Sequence, residues 1–330
     1  SYQKKIEKLA KQNHLNEIFH TVSIFYNSNW PENFPFIISL YPLPGSKGAS
    51  SGQSLGSIES IGVLVEESDL VGRFGVIVHE LCHSLYDAQS NTQQYEFESY
   101  FAQSQSLYSS IAHRYINEAL ATAVGNGWVI NKITSNLDES SWYNQTTIDG
   151  FAKVLSTEIG KYLEAKHPID NQLIEFAIKV FEQKFPDSIV SYENIFVEIQ
   201  LITDGNIIDY QSSREKISSY FHVSSFDGSS PIDHEQTISQ INKSDKPLIV
   251  LVAEKEMNQL RNLSKSIKEL QPYIQKIVAS KNKSVILTTL LYKNRPLIVI
   301  KVSDLSLLDK ALKILLERKK MDLDKKIVIF

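Results

Sequence analysis

"VIVHELCHSLYDA", residues 76–88, carries two histidines four positions apart, with a glutamate directly after the first. On an α-helix, residues i and i+4 lie on the same face one turn apart, so His79 and His83 would point their rings the same way. Leu70, Phe74, Ile77, Leu81 and Leu85 recur at helical spacing and form an apolar stripe, and Asp69 stands where an N-cap belongs. The stretch therefore reads as a buried helix with a histidine face. Cys82, between the histidines, points away from that face and reads as a small packing residue.

Two imidazoles on one face suit zinc, which takes histidine nitrogen at about 2.0–2.1 Å. Glu80 lies one position further round the helix, where a carboxylate reaches a water at the ion rather than the ion itself. His-Glu-x-x-His on a helix is the signature of zinc metallopeptidases. With eight histidines in the chain, the pattern would arise by chance in roughly one such chain in a hundred.

A catalytic zinc needs a third protein ligand. The three-histidine pattern H-E-x-x-H-x-x-G-x-x-H is excluded, because Tyr86 replaces its glycine and Gln89 its last histidine. A glutamate on a second helix is the other solution. "HRYINEALATAVGNGW", residues 113–128, supplies Glu118, and the small residues Ala119, Ala121, Thr122 and Ala123 after it allow close helix approach. Glu96 and Glu98 compete for the same role on a tighter return. His113 and Tyr115 share the Glu118 helix; His113 faces away from it, and Tyr115 lies one turn before it.

With "HELCH" and "NEALA" in place, the sequence resembles the gluzincins, the thermolysin-like superfamily of zinc peptidases, over residues 76–122. The resemblance implies one zinc per chain held by His79, His83 and Glu118, with Glu80 as general base and Asn117 contacting the ligands or the substrate. Thr122 stands where some members carry an aspartate that orients the first histidine. Gluzincins commonly stabilise the oxyanion with a Tyr or His after the glutamate ligand; "SSYFHVSSFDG" offers Tyr220 and His222 for this. Zincins also pair an extended peptide with an edge strand, and residues 60–66 are the candidate here.

The 330 residues, 42% apolar and 22% charged, suit two globular domains. The net charge of -4 gives no pull toward nucleic acid, and no apolar run reaches bilayer-spanning length. A single cysteine rules out an intrachain disulfide, which fits either a reducing compartment or an exported protein built without disulfides. The chain begins at Ser1 without a leader-like segment, so the expectation is a soluble protein, cytoplasmic or exported with its targeting segment missing from this chain.

The expected fold is α+β. Residues 1–243 would form a zincin-like, mostly helical catalytic domain with a small N-terminal sheet. It starts with an amphipathic helix over 3–20 and strands at about 34–43 and 60–68. Between these strands the glycine-serine stretch 45–57 reads as a loop that borders the cleft or acts as a lid. Helices follow at 92–105, 108–124, 148–165, 170–184 and 211–221. "NKSDKP" reads as a linker. Beyond it, 244–330 would form a ferredoxin-like βαββαβ sandwich, with Pro272 splitting its first helix and a short "KNR" hairpin turn. That domain carries no histidine and suits packing or binding a protein partner. The chain is thus expected to be a zinc metallopeptidase acting on a peptide or protein substrate; the alternative is a non-catalytic zinc-binding or interaction protein with a zincin-like fold.

Overall fold

The structure, a computed structural model, describes residues 2–31, 33–45, 52–66, 68–136 and 139–330. It is a mixed α/β chain that divides into two compact units, Ser1–Phe185 and Pro186–Phe330. No helix among the described residues is long and apolar enough to cross a membrane.

The first unit opens with α1 (Tyr2–Gln12) and α2 (Leu15–Phe25), followed by β1 (Ile37–Leu43), β2 (Gly52–Leu55) and β3 (Ile58–Leu64). Its helical part comprises α3 (Leu70–Asp87), α4 (Asn91–Gln103), α5 (Ser109–Thr122), a π-helical stretch Ala123–Val129, α6 (Ile130–Thr134), α7 (Thr146–Ala165) and α8 (Asn171–Lys184). The single helix expected over 3–20 is two, because His14 takes a left-handed φ of 51° and ends the run.

The small sheet runs in the order β1-β3-β2, with β1 parallel and β2 antiparallel to β3. Ile61 and Val63 face inward and pack with Ile6 of α1 and Ile77 of α3. Two expectations change here. Part of the glycine-serine stretch is not loop but strand β2, joined to β3 through Gly56 at φ +68°; its residues 46–51 lie outside the described residues. The strand over 60–66 is no edge, since β3 pairs on both sides; among the described residues β1 and β2 are the two edge strands.

Helix α3 is the spine of the unit. Asp69 caps it by accepting the Gly72 N–H at 2.8 Å, and Phe74, Ile77, Leu81, Cys82 and Leu85 are all fully buried. The π stretch crosses it at a glycine pair. A Cβ on Gly125 would sit 2.4 Å from the Gly75 carbonyl oxygen and 2.8 Å from the His79 nitrogen, so only glycine permits the approach.

The second unit contains α9 (Tyr192–Ile195), β4 (Glu198–Thr203), α10 (Tyr210–Tyr220), β5 (Ser225–Ser229), α11 (Glu235–Lys243), β6 (Leu248–Ala253), α12 (Met257–Ser266), α13 (Gln271–Ala279), β7 (Val285–Leu290), β8 (Pro296–Val302), α14 (Leu308–Arg318) and β9 (Ile327–Ile329). Pro272 in the first turn of α13 marks the expected split. Six strands form one sheet, ordered β5-β4-β6-β8-β7-β9, with one apolar core on each face. α9, α10 and α14 cover one face; α11, α12 and α13 cover the other. The sheet corrects the expected boundary at 243: β4 and β5 hydrogen-bond into the same sheet as β6, so "NKSDKP" is a helix-to-strand turn rather than a linker. It also departs from the ferredoxin-like layout. A free-standing split βαβ module returns its last strand beside its first. Here β4 occupies that place next to β6, and β9 pairs with β7 at the far edge.

Candidate metal centre

Helices α3 and α5 bring three donors together. His79 Nε2 and His83 Nε2 lie 3.1 Å apart. Glu118 places one carboxylate oxygen 3.5 Å from His79 Nε2 and the other 3.4 Å from His83 Nε2. Together they form a His-His-Glu group that could hold a metal ion. The spacing is informative. Donors about 2.05 Å from a tetrahedral ion stand about 3.3 Å apart, the bond length times 1.63. The two nitrogens, 3.1 Å apart, have about that separation, and Glu118 turns one oxygen toward each ring, at 3.4 and 3.5 Å; with one donor atom taken from each residue, all three lie within 4.8 Å of one another.

The electrostatics agree. Glu118 Oε2 is buried and accepts no hydrogen bond of ordinary geometry, an orphaned acceptor of the kind a cation satisfies. Burial alone would raise the Glu118 carboxyl, but His79, His83 and the Tyr143 hydroxyl outweigh it and hold it at about 2. Burial and the neighbouring His79 pull His83 below its ordinary range, against the opposite pull of Glu118 and Asn117. A carboxylate and a neutral imidazole are the forms a metal takes. Thr122 Oγ1 stands 3.4 Å from His79 Nδ1. Accepting a proton there would leave the His79 Nε2 lone pair for the ion. The Thr122 hydroxyl thus reaches the ring of the first histidine.

Glu80 stays out of this donor group. Its carboxylate lies beneath β2, so close that a Cβ on Gly52 would fall 2.0 Å from Glu80 Oε1. Burial pushes the Glu80 carboxyl up to about 7; His79 works against this, and Glu59 and Glu118 add to it. A carboxyl near neutrality both takes and gives a proton at physiological pH.

The structure brings His79, Glu80, His83, Asn117 and Glu118 to one place. Tyr220 ends α10 and packs on the core of the second unit, and His222 follows it; the triad belongs to the first unit. Glu96 accepts from Tyr100 on exposed α4 instead. Tyr115 stacks on Phe181 and His113 on Phe101, both as packing. The residue the sequence did not single out is Tyr143. Its ring stacks on His79, with centroids 6.0 Å apart and planes 22° apart, and its hydroxyl hydrogen-bonds to Glu118. Only the aromatic pair Trp142–Tyr143 in a polar connection hinted at an anchored segment.

No family model, curated protein or solved structure matches the chain.

Proposed function

We propose that the chain is a zinc-dependent peptidase and that its first unit is a zincin-like catalytic domain. The observation that carries this reading is the His79, His83 and Glu118 donor group, gathered within 4.8 Å, with a near-neutral carboxyl, Glu80, held beside it. The resemblance of "HELCH" and "NEALA" to the gluzincin motifs supports it. His79, His83 and Glu118 would hold one zinc per chain. When bound, zinc would lower the pKa of a water at the site and polarise a substrate carbonyl. Glu80 serves as general base and then returns its proton to the leaving amine. β2, an edge strand among the described residues that passes over Glu80 at Gly52, suits main-chain pairing with an extended peptide or protein substrate. A purely structural zinc site gives no purpose to Glu80, whose burial opposes its charge.

The test is direct. Purified protein should hold about one zinc per chain. Glu80→Gln should keep the zinc and lose peptide hydrolysis; cleavage at the parent's rate by that variant refutes the mechanism.

A further inference from the structure

We infer that Tyr143 is a positioning residue for the metal ligand Glu118, held in place by a clamp made of Asn126 and Asp149. The inference rests on the metal reading above and concerns how the chain sets ligand geometry. Tyr143 makes both of its contacts with ligands: its ring lies on His79 and its hydroxyl bonds Glu118. It stands in a connection between helices, where a side chain has no rigid support of its own. The support comes from both ends.

Asn126, in the π stretch, donates from Nδ2 to the Trp142 carbonyl at 3.1 Å. Asp149, in the first turn of α7, accepts from the Trp142 N–H at 2.6 Å and the Tyr143 N–H at 3.4 Å. Its other oxygen takes Lys153 Nζ at 3.0 Å, and that ammonium sits over the Trp142 ring. The Trp142 ring is 7% exposed and rests on Gly127, where a Cβ would come within 2.9 Å of it. Ser141 Oγ donates to the Tyr143 carbonyl at 2.8 Å. The segment is thus fixed from the π stretch on one side and α7 on the other.

Inserting wider turns after Thr122 changes the helical phase, so the helix that presents Glu118 also carries Asn126 to Trp142. Outer partners of metal ligands commonly contribute about 10–100-fold to metal affinity.

The experiment measures zinc affinity of the full chain by chelator competition, and the visible spectrum of the cobalt-loaded protein, for the parent, Tyr143→Phe, Asp149→Ala, Asp149→Asn, Asn126→Asp and the double variant Tyr143→Phe/Asp149→Ala. Tyr143→Phe and Asp149→Ala should each weaken zinc about tenfold or more, and the double variant should lose no more than either alone. Asp149→Asn keeps an acceptor oxygen and should restore parent affinity and the parent cobalt bands. Asn126→Asp cannot donate to the Trp142 carbonyl and should match Tyr143→Phe, which keeps the test valid if Asp149→Ala does not fold. Zinc affinity unchanged in Tyr143→Phe, or losses that multiply in the double variant, overturns the inference while leaving the metal site standing. A parent chain that binds no zinc overturns both.

Discussion

Replacing Gly52 with alanine separates the proposed base, Glu80, from the proposed metal ligands. The new Cβ would stand 2.0 Å from Glu80 Oε1, 2.4 Å from Cδ and 2.5 Å from Cγ, whereas real Cβ contacts essentially never fall under 3.0 Å. Relief needs a shift of about 1 Å by the carboxylate or by β2. Gly52 has an ordinary negative φ, so alanine costs the backbone nothing there, and the carboxylate is the mobile end of a side chain. The fold should therefore hold, and the base should move. The three atoms nearest that Cβ all belong to Glu80, so zinc content should stay that of the parent. A misplacement of about 1 Å at a reacting group costs about 100-fold in rate, equivalent to about 2.7 kcal/mol of barrier. The assay is hydrolysis of a quenched fluorescent peptide library, with zinc content and the thermal midpoint measured on the same samples. A Gly52→Ala enzyme within about threefold of the parent, in a background where Glu80→Gln is inactive, would refute the placement of β2 over the base.

Thr122→Val removes the hydroxyl at His79 Nδ1 without changing the volume. It should weaken zinc about tenfold in chelator competition, with little loss of thermal stability; unchanged affinity would mean that the 3.4 Å contact does not orient the ring. Metal-free Glu80→Gln should be more stable than the metal-free parent above pH 7, and the gap should close in acid. The sign follows from linkage. The folded Glu80 carboxyl is raised from 4.5 to about 7, so its proton stabilises the parent fully below about 4.5, and that stability is lost as pH rises through 7. Urea midpoints of the two proteins at pH 5 and pH 8 measure the gap; a constant gap would mean Glu80 titrates at its ordinary value.

The parts of this site that were legible in the sequence are those that local geometry dictates. An i, i+4 histidine pair shares a face on any helix, and the stripe Ile77, Leu81, Leu85 fixes which face that is. Glu118 followed from the small residues around it, although the closest helix approach is made by Gly75 and Gly125 rather than by the alanines. Strand β2 was not legible, because "GQSL" has loop composition and becomes strand only through its antiparallel pairing with β3. The two expected strands flanking it were right in place, but their order in the sheet, which decides the free edge, is a property of long-range pairing. The same holds in the second unit. In "EIQLIT" the polar Glu198 and Gln200 dilute the apolar signal, yet β4 is buried on both faces of a six-stranded sheet, and its presence there moves the boundary to Phe185.

Tyr143 shows why the remainder of a site escapes a linear reading. Its contacts to His79 and Glu118 are made across 64 and 25 positions, by a side chain whose own neighbours carry no periodicity. What places it is the Asn126 amide donating to a main-chain carbonyl and the Asp149 carboxylate accepting from main-chain N–H groups, and main-chain partners leave no residue-type signature on the segment that is held. The histidines advertise themselves because their chemistry requires that residue at that spacing. A clamp that grips the backbone constrains only its own two side chains, and these look like any Asn in a helix and any Asp near a helix start. The proposed ligands can be read from sequence because a metal would dictate them; the parts that aim those side chains can be read only once the chain is folded.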